Sequence, residues 1–212
     1  GEFNDLFGNE SQPMPLPRLL VSREAEFGIP FTMKSGDGAS ESASSVRLFY
    51  SSDGGVSWNI AQQVRSEESK FVFQAEEDGE YWFALDTLEG GSESMSFDTA
   101  SPLVPGLRVL VDTTSPHLEF EVGRTSSEQL WAAWSIQESR LRPHSFHILY
   151  RGEEEDFWTS VPVTASDPNN HEPFEGWAAW ELDVPYDEIV VRAEAIDLAG
   201  NSTVFTEHYD LT

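Results

Sequence analysis

Residues 46–50 read Val-Arg-Leu-Phe-Tyr and are followed by Trp58, and residues 146–150 read Phe-His-Ile-Leu-Tyr and are followed by Trp158. The two stretches lie 100 residues apart, and in both the tryptophan comes eight residues after the tyrosine. In each stretch the first, third and fifth residues share one face of a β-strand, because successive side chains point to opposite faces. The repeat predicts two similar β domains, with each tryptophan on the strand that follows a polar turn.

The rest of the chain consists of short apolar runs between clusters of Gly, Ser, Asp and Pro, without a sustained helical period. This pattern is typical of an all-β sandwich or barrel. Two further runs, 80–86 and 188–197, are predicted strands that end in an Asp and a turn containing Gly. The residues expected to point inward are Tyr81, Phe83 and Leu85 in the first run, and Ile189, Val191, Ala193 and Ala195 in the second, where Arg192 and Glu194 point outward.

The chain divides into three predicted segments. Prolines alternate in residues 13–17, which excludes a helix or a central strand and predicts an extended lead-in over residues 1–21. Residues 22–114 and 115–212 are the two predicted β domains, joined by a short link that Pro116 stiffens.

Composition excludes several functions. Acidic residues outnumber basic ones 38 to 12, and the net charge of -26 repels nucleic acids and anionic membranes. With no cysteine, the chain has neither disulfides nor thiolate metal sites. No apolar run approaches the length that spans a membrane. We therefore expect a folded acidic monomer with partners other than nucleic acid, and no membrane insertion.

Two short motifs resemble those of known β-sandwich families. Residues 77–83 are similar to the immunoglobulin strand pattern D-x-G-x-Y-x-C, with Glu77 in place of the Asp and Phe83 in place of the Cys. The resemblance implies that Tyr81 is the corner tyrosine of the fold. It also implies that an apolar Phe83 fills the space that an intersheet disulfide otherwise occupies.

The second motif, Ala-Ile-Asp-Leu-Ala-Gly-Asn at residues 195–201, is similar to the A-x-D-x-A-G-N ending of bacterial immunoglobulin-like repeats. Together the motifs resemble tandem immunoglobulin-like or fibronectin type III-like modules of bacterial secreted or cell-envelope proteins. The resemblance implies an all-β fold of two β-sandwiches in which Gly200 and Asn201 turn the chain between the last two strands. Such modules act as spacers, adhesive units or accessory domains, so the likeness indicates a fold rather than an activity.

A third pattern lies in the turn after residue 50. Ser51, Asp53, Gly55 and Trp58 fit the Asp-box pattern S-x-D-x-G-x-x-W of sialidases and related propellers. A propeller needs several blades, whereas one box is present. We therefore predict a structural hairpin, in which Asp53 accepts backbone N–H bonds and Trp58 covers the apolar core beneath.

Two tryptophan strings, Trp131-Ala-Ala-Trp134 and Trp177-Ala-Ala-Trp180, are the candidates for ligand binding. Residues three apart on a strand face opposite sides, so one tryptophan of each pair is expected in the core and the other at the surface. Exposed indoles stack on sugar rings, whereas buried ones only fill a core.

Catalytic and metal sites are not predicted. The histidines show no metal-ligand spacing, and no G-x-S-x-G motif accompanies the many serines. Chance alone produces paired carboxylates among 38 acidic residues, so such pairs do not indicate a glycosidase. The acidic turn at residues 153–156 has no EF-hand pattern and is predicted to be a solvated loop rather than a calcium site.

The sequence thus predicts a non-enzymatic structural or interaction module of a secreted or cell-envelope bacterial protein. We expect no cofactor, and we expect its partners to be other proteins or surface glycans. The alternative is an accessory carbohydrate-binding region that uses exposed tryptophans. A hydrolase with a dispersed site is a third class that the sequence leaves open.

Overall fold

The structure, a computed structural model, describes residues 15–32, 45–65, 67–88, 103–126, 129–163, 174–182 and 184–212. All regular elements in these ranges are β-strands. The chain forms two compact units, divided between Val111 and Asp112 except that residues 21–24 group with the second unit. That residues 22–114 and 115–212 fold as separate domains stays a prediction.

The strands up to Val111 form two layers, in which β3 pairs antiparallel with β4 and β6, β6 with β7, and β2 with β5. A five-stranded sheet has the order β1-β7-β6-β3-β4, and a two-stranded sheet pairs β2 with β5. The strands are β1 (Leu19–Ser22), β2 (Glu26–Pro30), β3 (Ser45–Ser51), β4 (Asn59–Arg65), β5 (Lys70–Gln74), β6 (Gly79–Leu88) and β7 (Leu107–Val111).

Aromatic rings fill the space between these two layers. Phe73 packs edge-on against Phe83 with ring centroids 4.8 Å apart, and Phe83 is 2% exposed. Phe83 therefore occupies the core where a disulfide would lie in the related pattern. Tyr81 donates a 2.8 Å hydrogen bond from its hydroxyl to the Glu77 carbonyl, which closes the predicted tyrosine corner.

The second unit is a sandwich of a three-stranded sheet, in the order β12-β9-β8, and a four-stranded sheet, in the order β11-β10-β13-β14. Strand β13 shows the predicted alternation, since its four inward side chains are fully buried. The strands are β8 (His117–Arg124), β9 (Leu130–Gln137), β10 (His147–Gly152), β11 (Thr159–Val161), β12 (Phe174–Trp180), β13 (Glu188–Ile196) and β14 (Ser202–Asp210).

Asp197 organises the turn between β13 and β14. Its fully buried carboxylate accepts hydrogen bonds from the Gly200 and Asn201 backbone N–H groups at 2.6 and 2.8 Å, and from Asn201 Nδ2 at 2.7 Å. Gly200 adopts φ 93°, which a glycine accepts without strain. Asn201 Nδ2 also donates to the carbonyls of Asp112 and Thr114, so the turn holds the first residues of the second unit.

The predicted fold class, two all-β sandwiches of the immunoglobulin and fibronectin type III kind, is confirmed. Three details differ from the prediction. Trp58 and Trp158 each lie immediately before a strand rather than in it, because β4 begins at Asn59 and β11 at Thr159. Strand β1 begins at Leu19, inside the predicted lead-in, because it pairs with β7. Leu85 is 48% exposed although Tyr81 and Phe83 are buried.

Candidate functional site

The Asp-box-like hairpin connects β3 to β4 and is held by two side chains. Ser51 is fully buried, and its hydroxyl accepts the Gly55 N–H at 2.8 Å and donates to Asp53 Oδ1 at 2.7 Å. Asp53 Oδ1 accepts the Ser57 N–H at 2.9 Å, and Asp53 Oδ2 accepts the Ser57 hydroxyl at 2.6 Å. A serine covered in this way does not reach a substrate, so the contacts favour a structural role.

Two consecutive glycines allow this turn to form. Gly54 and Gly55 have φ of 73° and 88°, in the left-handed region that side chains disfavour. A Cβ atom at Gly55 would lie 3.1 Å from the ring of Trp82 and 3.7 Å from that of Trp58. The turn therefore rests on Trp82, which was not predicted. Trp58 is half-buried and lies outside the core cluster, because the turn folds over the outer face of the sheet.

The hairpin also changes the acidity of its carboxylate. Hydrogen bonds from the side chain and backbone of Ser57, and then from Ser51, lower the pKa of Asp53 from 3.8 to about 2. Because these donors favour the charged form, the folded hairpin binds a proton less readily than the unfolded chain. The hairpin is therefore a local, pH-dependent contribution to the stability of the first unit.

We expect Asp53→Ala to lower the melting temperature of the first unit by several degrees at neutral pH, because the Ser57 and Ser51 donors lose their acceptor. A depressed pKa contributes stability that is complete above pH 3.8 and lost as the pH falls through about 2. The melting difference between wild type and variant should therefore shrink over this window in calorimetry. Glu67→Ala, in the exposed β4–β5 turn, is the control. An unchanged profile for Asp53→Ala would refute the structural role.

The four tryptophans of the W-A-A-W strings differ in how far they are buried. Trp134 and Trp180 are 4% and 7% exposed and belong to the core of the second unit. Trp177 is 71% exposed, and Trp131 is half-buried on the same outer side of the sheet. Only Trp131 and Trp177 therefore lie where a ligand reaches them.

Glycines on neighbouring strands position two of these indoles. A Cβ atom at Gly123 of β8 would lie 2.5 Å from Trp131, and one at Gly176 of β12 would lie 2.3 Å from Trp134. Each glycine pairs with its tryptophan across the ladder. The indole of Trp131 therefore lies against β8 on the outer face, and that of Trp134 lies against β12 on the inner face. Sequence reasoning missed these glycines, because only the strand register brings each one to its partner.

The outer side of the β12-β9-β8 sheet forms a surface that we call the tryptophan face. In the ladder, Trp177 stands opposite Ala133, and Trp131 opposite Ala179, so the two indoles are diagonal neighbours above small side chains. Carboxylates border them, and Ser135 donates to Glu175 Oε1 at 3.2 Å. The residues of the face are Glu119, Glu121, Gly123, Trp131, Ala133, Ser135, Glu175, Trp177 and Ala179.

Among the described residues, one group of side chains has the donor atoms to hold a metal ion. Ligand atoms of Glu153, Glu188 and His208 all lie within 4.8 Å of one another, and His208 Nδ1 is 3.2 Å from Glu188 Oε1. The sequence did not indicate this group, because its members come from a turn and two strands that are distant in the chain. Glu153 and His208 are exposed, and such groups commonly hold no ion. The prediction that no metal is bound stays a prediction.

Comparisons with known proteins give a likeness of fold. No protein-family model and no curated protein matches the chain. Among solved structures, the crystal structure of the chicken CNTN1 FN1-FN3 domains matches with 12% sequence identity and a TM-score of 0.40. The match covers 91% of this chain and 62% of the chicken chain, so this chain spans less than two thirds of that one. Within the described residues, none forms a helix that is long and apolar enough to cross a membrane.

Proposed function

We propose that this chain is a non-catalytic interaction module of a secreted or cell-surface bacterial protein, and that it binds another protein through the tryptophan face. The observation that carries the proposal is the 71% exposure of Trp177, on a strand whose other tryptophan is buried. A single exposed apolar side chain is common, but Trp177 is a diagonal neighbour of Trp131, and a contiguous apolar area marks an interaction site. Tryptophan is also enriched at the energetic centres of protein interfaces.

The surroundings of Trp177 have the composition of a binding surface. The small side chains of Ala133 and Ala179 leave room for a ligand beside the indole of Trp177. Trp131 extends the apolar area toward β8. Glu121 and Glu175 border this area and are exposed. An apolar centre with a charged rim is the usual anatomy of a protein interface. The acidic rim favours a partner with basic residues around an apolar contact.

The second candidate function, glycan binding, uses the same indoles. An exposed indole next to carboxylates can stack on a sugar ring while the carboxylates accept hydrogen bonds from hydroxyl groups. Trp131 favours this alternative, because its indole lies against Gly123 on the same outer side of the sheet as Trp177. Both functions lose their main contact when Trp177 is truncated, so the type of ligand distinguishes them.

We expect Trp177→Ala to weaken partner binding about thirtyfold, because truncating an aromatic residue at the centre of an interface typically costs about 2 kcal/mol. Its melting temperature should change little, because the side chain is exposed. The matched control is Val204→Ala, which removes an exposed apolar side chain from the other sheet of the same unit.

The measurement has two arms, a protein cross-linking experiment on cell-surface extracts and a glycan array. A protein that wild type and Val204→Ala retain and Trp177→Ala loses supports the proposal once its direct binding is measured with the purified components. A glycan that shows the same dependence on Trp177 supports the alternative instead. Equal behaviour of all three chains in both arms excludes the tryptophan face as the binding surface.

A further inference from the structure

The first unit contains an open groove of about 690 Å³ between the edges of its two sheets. One wall is formed by β4 and the end of β3, and the other by β5 and the turn into β6. Ile60 and Val72 are each about half exposed there. We call this feature the acidic groove; its lining residues include Tyr50, Ile60, Val72, Phe73, Glu76 and Glu77.

Among the described residues, no strand pairs with the edge of β5 that faces this groove. The flanking residues on its β2 side are bonded to the β2 region, since Ser69 accepts from Phe31 N and Ala75 donates to the Ala25 carbonyl. Alternation along the strand then turns the backbone groups of residues 70, 72 and 74 toward the groove. The Val72 N–H does point that way, because it donates to Gln62 Oε1 at 3.2 Å. A side chain thus occupies a donor that a further strand would use.

Strand β4, on the opposite wall, is less suited to pairing. Its register with β3 shifts between Leu48 and Phe49, which pair with Gln62 and Ile60, so Ala61 is an extra residue. A bulge of this kind bends an edge strand and interrupts its ladder, which protects it from further pairing. An added strand therefore fits β5 better than β4.

The negative charge of the groove indicates that its ligand carries positive charge. Four acidic side chains line the groove, and no described Lys, Arg or His does: Glu76, Glu77, Asp78 and Glu80. Arg108 pairs with Glu80 at 2.6 Å, so the attraction for a cation comes chiefly from Glu76 and Glu77. These carboxylates follow the end of β5, whereas Lys70 stands at its beginning. A second copy of this chain is a poor occupant, because its net charge is -26. The same field disfavours nucleic acid and anionic lipid.

We propose that the acidic groove binds an extended, cationic segment of a partner protein, which adds as a strand to the groove-facing edge of β5. Its backbone displaces the Gln62 side chain from the Val72 N–H, and its basic side chains approach Glu76 and Glu77. Backbone hydrogen bonds supply affinity in this mode, and side chains supply specificity. This site lies in the first unit and does not depend on the tryptophan face.

The test uses a fluorescein-labelled peptide of four Lys-Val repeats as the probe, with four Glu-Val repeats as the control peptide. We expect the basic peptide alone to bind in fluorescence anisotropy. Amide shifts in NMR should concentrate in residues 59–62 and 70–80. The double variant Glu76→Gln, Glu77→Gln should weaken binding about tenfold, and Val72→Pro, which removes the groove-facing donor of an edge strand, should weaken it at least as much.

Control variants separate this site from unspecific attraction and from the tryptophan face. Glu67→Gln with Glu68→Gln makes the same charge change in the exposed β4–β5 turn and should leave binding within about twofold. Trp177→Ala should also leave peptide binding unchanged, whether or not the tryptophan face proves to bind a partner. Thermal melting checks that Val72→Pro is folded.

Three results would overturn the proposal. In the first, both charge-neutralised variants weaken binding equally, which indicates general attraction to an acidic surface. In the second, folded Val72→Pro binds normally, which excludes strand addition. In the third, calcium chloride without peptide shifts residues 76–80 at micromolar concentration and displaces the peptide, which makes the carboxylates a cation site.

Discussion

Replacing Asp197 with alanine is expected to lower the free energy of unfolding of the second unit by about 3 to 5 kcal/mol. The buried carboxylate accepts three hydrogen bonds, from the Gly200 N–H and from the backbone and side chain of Asn201. Alanine leaves these donors without their acceptor in a place that water does not reach. The melting temperature should fall by about 12 to 40 °C, at roughly 4 to 8 °C for each kcal/mol in a domain of this size.

Asp197→Asn is the informative companion variant. Its amide oxygen can still accept both backbone N–H groups, whereas its NH2 group faces Asn201 Nδ2, and two donors repel each other. The loss of stability should therefore be intermediate. Burial, and then the charges of Asp112 and Asp197, raise the pKa of Glu138, so either variant should lower that pKa toward its usual range. A loss below about 1 kcal/mol for Asp197→Ala, within the range of ordinary surface substitutions, would contradict the role assigned to this turn.

Sequence predicted those parts of the fold in which neighbours along the chain determine the structure. The alternation in 189–195 identified a half-buried strand, and all four inward residues are fully buried. The resemblance of residues 77–83 to the immunoglobulin strand pattern implied the tyrosine corner, whose hydrogen bond connects Tyr81 to Glu77, only four residues away. Local patterns of this kind depend on strand periodicity and turn chemistry, which a sequence displays directly.

Features that depend on strand register were not predictable. Gly123 and Trp131 face each other because β8 and β9 pair in one register, and a shift by one residue would separate them. The acidic groove lies between β4 and β5. These strands are consecutive in the chain, but they belong to different sheets, and the sequence does not show how the edges of the two sheets face each other. The predicted position of Trp58 was wrong for a related reason. The two glycines let the turn after β3 pack over Trp82, which lies in β6 and is distant from the turn in sequence.

The candidate site was predicted in part. Strand alternation correctly placed one tryptophan of each string in the core and the other outside, but it could not say which one. Trp134 and Trp180 are inside because the pairing of β9 with β12 turns Ile136, Trp134 and Ala132 toward the other sheet. The pairing of the strands therefore determines which indole of each pair is buried. The sequence alone is equally compatible with either indole being buried.

Gly176→Ala is expected to destabilise the second unit by about 2 to 3 kcal/mol, whereas Gly123→Ala should cost about 1 kcal/mol or less. Both changes place a Cβ atom against an indole, at 2.3 Å from Trp134 and 2.5 Å from Trp131. Trp134 is 4% exposed and packs against Phe146 with ring centroids 5.0 Å apart, so it has no room to move. Trp131 lies on the outer face and can rotate into solvent.

A double variant tests this reason for the difference. In Trp134→Leu, a smaller side chain leaves space opposite Gly176, so adding Gly176→Ala to it should cost less than adding Gly176→Ala to wild type. A double-mutant cycle measured by calorimetry or urea unfolding gives this coupling, which contacting residues show at about 0.5 to 3 kcal/mol. Gly123→Ala with Trp134→Leu is the matched control and should be additive, since those residues lie on opposite faces of the sheet. Equal costs for the two glycine variants, or a cycle without coupling, would show that Gly176 does not fix the position of Trp134.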